Sequence, residues 1–124
     1  MEPKETIRPH LAVSHDPKAQ SAIEQFQNKT LRPILKLQHP LLVAYFKAYL
    51  QQKKTDLNRL PAEKKKAWVE KAFKNDQSLK REVKCLILGH FTVAEFEAYR
   101  PIAQDANKRI WTMACERLLS VWYF

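Results

Sequence analysis

DQSLKREVKCLILGHFTVAEFEAY, residues 76–99, contains the start and stop signals of two consecutive helices. Asp76 is a residue type that caps helix N-termini, and an apolar stripe at helical spacing follows it. Gly89 falls where a left-handed C-cap would end the first helix. Thr92 and Glu95 form a capping box that would start the second helix. The stretch therefore predicts a helix, a short turn and another helix, the first with its apolar positions at Leu79, Val83, Cys85, Leu86 and Ile87.

The composition of the whole chain extends this helical pattern. The 124 residues include one glycine and seven prolines. Tight β-hairpins need positive φ angles, which glycine supplies, so a multi-stranded antiparallel sheet is disfavoured. The chain is instead rich in Ala, Leu, Lys, Glu, Gln and Arg, the strong helix formers. We expect one all-α domain of five or six helices, packed as a compact bundle or as an orthogonal helical domain.

Proline positions divide the chain into an arm and a domain. Residues 1–16 contain Pro3 and Pro9 but no periodic apolar pattern, which predicts an irregular N-terminal arm that is either disordered or lies across the domain. Residues 17–124 are the single helical domain, in which Pro33 and Pro40 either break a helix or bend it. The expected helices cover residues 18–30, 32–53, 61–75, 77–88, a short segment after residue 92, and 102 onwards.

A strong positive charge is concentrated in the middle of the chain. The net charge is +9, and residues 53–84 contain eleven basic and five acidic side chains. Such an excess could follow a phosphate backbone without reading its sequence. The alternative is an ordinary solvated surface with i,i+4 charge pairs, for which lysine is well suited. The candidate contacts for nucleic acid or another polyanion are Lys64, Lys71, Lys74, Lys80, Arg81 and Lys84.

The last helix, from residue 102, has apolar positions on two sides. One stripe includes Ala106, Ile110 and Leu118, and a second stripe lies beside it. A helix that is apolar on two sides is either central in its domain or shared with a second chain, and tryptophan is enriched at interfaces. The second interpretation predicts a homodimer whose candidate contact residues are Trp111, Cys115, Leu119, Trp122 and Phe124.

The sequence identifies no catalytic, metal-binding or cofactor-binding residue. The histidines at positions 10, 15, 39 and 90 show no ligand spacing with the two cysteines, and CxxC, HxH and HExxH are absent from the sequence. A single glycine excludes the common phosphate-cradling loops. If the segment around Gly89 were a DNA-binding helix–turn–helix, its second helix would place Glu95 and Glu97 against the phosphate backbone. Phosphates repel these carboxylates, so this motif is disfavoured. An enzyme built on Cys85 and His90, brought together by folding, stays open as an alternative.

Two features bear on location. The longest apolar run, residues 41–46, is much shorter than the roughly 20 residues that a membrane span needs. The first ten residues, MEPKETIRPH, lack the apolar core of a secretory signal. We therefore expect a cytoplasmic protein with two free cysteines and no membrane partner.

Four segments carry a resemblance to a known family: residues 28–42, 63–73, 79–99 and 106–119. Their most specific piece is G-x-F-T-x-x-E-[FY], here Gly89, Phe91, Thr92, Glu95 and Phe96. Together they resemble a family of small, functionally uncharacterised helical bacterial proteins. The resemblance implies a cytoplasmic bacterial protein and supplies no catalytic residue. Some members carry the label glyoxalase, but the histidine and carboxylate ligand motifs of that metalloenzyme class are missing from this sequence.

These observations favour one function and leave a second open. We expect a non-enzymatic cytoplasmic helical protein that acts through protein–protein contacts or self-association. The alternative is an electrostatic binder of nucleic acid or another polyanion through residues 53–84. No small-molecule substrate can be identified from the sequence.

Overall fold

The computed structural model describes residues 3–9 and 21–122, and every regular element in these two ranges is helical. This confirms the all-α prediction. A π-helical turn, Gln27–Leu31, joins α2 to α3, and 3-10 turns occur at Leu57–Arg59 and Arg100–Ile102. The helices are α1 (Pro3–Thr6), α2 (Ala22–Phe26), α3 (Arg32–Gln52), α4 (Ala62–Asn75), α5 (Gln77–Leu88), α6 (Val93–Tyr99) and α7 (Ala103–Trp122).

Helix α7 is the centre of the bundle, because α3, α4 and α5 all pack against it. One stripe of α7 is fully enclosed, and it repeats every four residues, as a helix face requires. Its members are Ala106, Ile110, Ala114, Leu118 and Trp122. The first stripe of the sequence analysis is therefore core, as expected for a central helix. No helix in the described ranges combines the length and the apolar character that a bilayer crossing needs.

An aromatic cluster centred on Phe46 joins α3, α4 and α7. The Phe46 side chain is fully buried. Its ring centroid lies 5.5 Å from that of Tyr49, 5.6 Å from that of Trp122, 6.3 Å from that of Phe73 and 6.4 Å from that of Trp68. Offset and edge-to-face arrangements at these distances add to the energy of apolar burial. The cluster holds one end of α7 in place.

Neither helical proline breaks the rod formed by α2, the π-helical turn and α3. Pro33 lies in the first turn of α3, immediately after the π-helical turn, in which the Arg32 N–H bonds to the Gln27 carbonyl. This wider turn accommodates a residue that has no N–H and whose ring displaces the preceding carbonyls. Pro40 lies inside α3 on an exposed position, where water can solvate the carbonyl it displaces. Both prolines are therefore absorbed within one continuous rod.

The helix signals of residues 76–99 are confirmed except at Gly89. The Asp76 side chain caps α5, and Thr92 and Glu95 form the expected capping box at α6. Gly89, however, has φ −60° and ψ −17°, a right-handed conformation, so the predicted left-handed cap is wrong. A Cβ atom at Gly89 would lie 3.2 Å from the Cys85 carbonyl oxygen, so close packing, not handedness, favours glycine there. Cys85 is exposed, which also contradicts its predicted apolar position.

Asp76 also ties α3 to the turn between α4 and α5. Its carboxylate accepts hydrogen bonds from the Ser78 and Leu79 backbone N–H groups, each at 3.1 Å, and from the Tyr49 hydroxyl at 2.6 Å. The Lys53 ammonium lies 3.8 Å away. The Tyr49 hydrogen bond is the main reason that the pKa of Asp76 lies below its ordinary value.

The N-terminal segment lies against the turn between α5 and α6. The Arg8 guanidinium forms a bidentate pair with the Glu95 carboxylate at 2.6 and 2.7 Å, and both side chains are largely buried. Arg8 also donates to the His90 carbonyl, and the Lys4 ammonium donates to the Phe91 carbonyl at 2.9 Å. Of the expected irregular arm, residues 3–6 form a single helical turn, and residues 10–16 lie outside the described residues.

Lys54 adopts a left-handed backbone conformation, with φ 53°. The Thr55 N–H bonds to the Leu50 carbonyl and the Lys54 N–H to the Gln51 carbonyl, the two bonds of a Schellman motif that ends α3. Because only glycine adopts this conformation without a Cβ penalty, we expect Lys54→Gly to raise the free energy of unfolding by about 0.5–1 kcal/mol. Urea denaturation checks the change. Lys54→Ala is the control, since it keeps the Cβ atom and should not stabilise the protein.

The Arg8–Glu95 pair predicts an acid-sensitive attachment of the N-terminal segment. Burial raises the pKa of the Glu95 carboxyl, but the hydrogen bonds from Arg8 and the Thr92 N–H outweigh it, so the folded-state pKa is lowered. The stabilisation is therefore complete above the ordinary glutamate pKa of about 4.3 and disappears as pH falls through the lowered folded-state value. Glu95→Gln keeps the capping box but removes the ion pair.

We expect Glu95→Gln to lower the free energy of unfolding by about 2 kcal/mol at neutral pH. The same substitution should accelerate amide hydrogen exchange in residues 5–8, because it releases the N-terminal segment. The difference from the wild type should vanish at acid pH. Glu97→Gln is the matched control, because the ion pair of Glu97 with Arg100 lies on the exposed surface. Equal effects of the two substitutions at neutral pH would contradict this assignment.

Candidate docking groove

A groove of about 640 Å³ runs between α4 and α7 and is bordered by the first turn of α5. We call it the docking groove. Its residues come from one face of each helix, at helical spacing. They are Lys66, Glu70, Phe73 and Lys74 of α4, Lys80 of α5, and Lys108, Trp111, Thr112, Cys115, Glu116 and Leu119 of α7.

The floor of the docking groove is apolar. Trp111, Cys115 and Leu119 are half-buried and recur every four residues along α7, and Phe73 of α4 is buried beside them. These three positions of α7 lie next to its enclosed stripe, so the groove begins where the core ends. A partner that covers this floor would gain apolar burial without disturbing the core.

Trp111 is held in a fixed orientation at the edge of α5. Its indole Nε1–H donates to the Lys80 carbonyl at 2.9 Å, and the Lys80 ammonium lies 4.4 Å from the indole ring centroid. The second contact is a cation–π interaction. A large aromatic side chain that is already oriented loses little entropy when a partner packs on it, which is typical of residues that dominate binding energy.

The rim of the docking groove is positively charged. Four lysines surround the apolar floor, and two glutamates accompany them. Lys66 and Glu70 form the single ion pair that involves rim residues within the described residues, at 3.9 Å and largely exposed. Such pairs contribute little. The groove therefore presents an excess of positive charge around an apolar floor.

The predicted self-association residues separate into two environments. Trp111, Cys115 and Leu119 line the docking groove. Trp122 is 8% exposed and stacks edge-to-face on Phe46, so it belongs to the core and is removed from the candidate surface. Trp122 follows Leu118 by four residues, so it continues the enclosed stripe of α7 and not the stripe of Trp111, Cys115 and Leu119. Phe124 lies outside the described residues.

The predicted polyanion residues do not form one stripe. Lys74 and Lys80 line the docking groove, whereas Lys71 lines a separate groove beside Tyr49 and Trp68. The exposed ridge of α4 separates these two grooves. Lys64 and Arg81 are exposed and Lys84 is half-buried, and none of them lines either groove. A polyanion contact through these six residues stays a prediction.

Six groove residues were not among the predicted site residues: Lys66, Glu70, Phe73, Lys108, Thr112 and Glu116. A signal for two of them exists in the spacing. Lys66 and Lys74 are eight residues apart on α4, and Lys108 precedes Trp111 by three residues on α7, so each shares a face with a predicted residue. The sequence does not show that this face of α4 and this face of α7 lie side by side in the folded protein.

In the described part of the chain, the structure places no third metal-ligating side chain beside Cys85 and His90, the pair on which the alternative of an enzyme depends. Within residues 3–9 and 21–122, no group of three His, Cys, Asp or Glu side chains is arranged to hold a metal ion. Burial, followed by the charges of Arg8 and Lys4, holds the pKa of His90 below its ordinary value. The His90 Nδ1 atom is buried without a hydrogen-bond partner, whereas Cys85 is exposed.

The thiol of Cys115 reports directly on the docking groove. Burial raises the pKa of this thiol to about 11. Because the thiolate is the reactive form, a Cys85→Ser variant should react with iodoacetamide at neutral pH about a hundredfold more slowly when folded than when denatured. The rate should rise steeply between about pH 9 and 11. The Cys115→Ser variant, which retains exposed Cys85, is the control; equal rates for the two thiols at neutral pH would contradict the burial.

Comparison of the chain with family models, curated proteins and solved structures gave no match. The family resemblance of residues 28–119 therefore stays a prediction, as do the bacterial source and the cytoplasmic location. Function must be inferred from the geometry and charge of this chain.

Proposed function

We propose that the protein is a protein-binding module whose docking groove receives an acidic amphipathic helix of a partner protein. One observation carries the proposal: an apolar floor with a pre-oriented tryptophan is surrounded by four lysines. An apolar floor selects an apolar face, and a positive rim selects acidic flanks. An amphipathic helix with glutamates beside its apolar stripe supplies both.

The length of the groove suits a helix of about three turns. Its lining on α7 extends from Lys108 to Leu119, about 16 Å at 1.5 Å per residue. A helix in a groove inserts apolar side chains at positions i, i+3 or i+4, and i+7. Three such side chains would cover Trp111, Cys115 and Leu119 in turn.

The charge on the rim favours a different chain over a second copy of this one. In a two-fold symmetric dimer the same surface faces itself, so the lysines of one groove would oppose those of the other. Like charges across an interface cost affinity. The expected self-association is therefore the competing outcome, and an acidic partner is the proposed one.

A polyanion is the second competing outcome. Lys74 and Lys80 come together at the groove, and lysines beside an aromatic ring are common at single-stranded nucleic-acid sites. The Trp111 ring, however, already carries the Lys80 ammonium on its face, which leaves less surface for a stacked base. Binding of this kind would weaken steeply with added salt.

The test uses a fluorescein-labelled helical peptide of about 14 residues, with leucines on one face and glutamates flanking them. Fluorescence anisotropy should give micromolar affinity, and a double variant with Lys66→Glu and Lys74→Glu should bind at least about tenfold more weakly. The matched control is Lys47→Glu with Lys64→Glu, which makes the same charge change at two exposed positions outside the groove. The control should bind within about twofold of the wild type.

Three results would contradict the proposal. Equal weakening by the groove variant and the control would mean that only net charge matters. A lysine-flanked peptide that binds as well as the glutamate-flanked one would remove the role of the rim. Sedimentation that finds a dimer disrupted by Lys66→Glu and Lys74→Glu would make a second copy the occupant.

A further inference from the structure

A second groove adjoins the docking groove along α7 and lies between that helix and the segment formed by the π-helical turn and α3. It consists of two adjoining pockets of about 510 and 350 Å³ that share Arg32 and Glu116. Lys36 and Arg117 add positive charge to the first pocket, and Lys108 and Arg109 add it to the second. We infer that this arginine cleft binds a small phosphorylated molecule with two adjacent anionic groups, such as a diphosphate.

The three arginines of the cleft contact amide and imidazole side chains. Arg32 Nε donates to Asn28 Oδ1 at 2.8 Å, and Arg109 Nη1 donates to Gln27 Oε1 at 2.5 Å. Arg117 Nη1 lies 3.5 Å from His39 Nδ1. No carboxylate oxygen among the described residues comes within 4.0 Å of these guanidinium groups, although Arg8, Arg59 and Arg100 each have such a partner.

The π-helical turn supplies the two amides that orient the arginines. Gln27 and Asn28 are adjacent in this turn, and Asn28 is 9% exposed. A π-helical turn widens the helix locally and is common at functional sites. The two amide oxygens each accept one N–H, from Arg32 and from Arg109, so these two arginines are positioned without being neutralised.

The positive charge of the arginines in the cleft is not balanced by an ion pair among the described residues, which favours the binding of an anion. Burial, and then the nearby positive charge of Arg32, hold the pKa of Arg117 below its ordinary value. Bringing two guanidinium groups together is unfavourable until an anion lies between them. A guanidinium fork matches phosphate oxygens in geometry as well as charge. Two pockets that share Arg32 suit two neighbouring phosphoryl groups.

Glu116 opposes an anion and so gives the inference a gain-of-affinity test. Its carboxylate lines both pockets and forms no ion pair within 4.0 Å in the described part of the chain. Removing this charge should strengthen anion binding, an effect that a merely structural role of the arginines would not produce. Lys108, Thr112 and Glu116 also line the docking groove. The substitutions that distinguish the two sites are therefore made at Lys36 and Arg117, which line the arginine cleft alone.

The test is calorimetric titration of the full chain with inorganic pyrophosphate at constant ionic strength. We expect saturable one-to-one binding with a dissociation constant of about 100 µM. Arg117→Gln and the exposed Lys36→Gln should each weaken it, the first at least about tenfold, and Glu116→Gln should tighten it about threefold or more. Arg81→Gln is the matched control, exposed on α5, and should leave binding unchanged.

Three results would overturn the inference. They are the absence of saturable binding up to about 10 mM, equal weakening by Arg81→Gln and Arg117→Gln, and orthophosphate binding as tightly as pyrophosphate. The last would leave a single-phosphate site. The double variant with Lys66→Glu and Lys74→Glu should bind pyrophosphate normally, so the cleft and the docking groove succeed or fail independently.

Discussion

The packing of α3, α4 and α5 against α7 is the interaction on which the rest of the molecule depends. Ala106 and Ala114 have no exposed surface, and such small side chains allow neighbouring helices to approach closely. This contact buries one face of α7 and determines which helices lie beside the remaining surface of α7. One part of that surface, with α4, forms the docking groove, and an adjoining part, with α3, forms the arginine cleft. Both candidate sites are therefore consequences of how the core closes.

The sequence predicts this fold well wherever the determining contacts are local. The caps at Asp76 and Thr92 depend on residues within three positions, so their signals suffice. The conformation of Gly89 depends instead on its approach to the Cys85 carbonyl, which composition does not reveal. Lysine carries no left-handed preference, and Lys54 adopts that conformation because the Schellman hydrogen bonds and the start of the next turn require it.

The candidate sites are less predictable because they join distant parts of the chain. Periodicity alone identifies Trp111, Cys115 and Leu119 as a second stripe of α7. Their lysine rim also needs α4 and α5, whose angles to α7 are set by core packing. The arginine cleft joins Arg32 to Arg117, which are far apart in sequence, and its supporting amides depend on a π-helical turn that no sequence pattern announced. A count of basic residues along the chain pointed to residues 53–84 and overlooked this cleft.

The position of α7 in the chain order has a consequence for synthesis. The helices that it holds together, α3 to α5, all precede it, so they leave the ribosome before α7 can cover the apolar surfaces that face it. During that interval Phe46, Val83 and their neighbours are exposed to other nascent chains and to chaperones. A chain that stops before residue 103 lacks the helix against which α3, α4 and α5 pack, and so lacks the centre of the core.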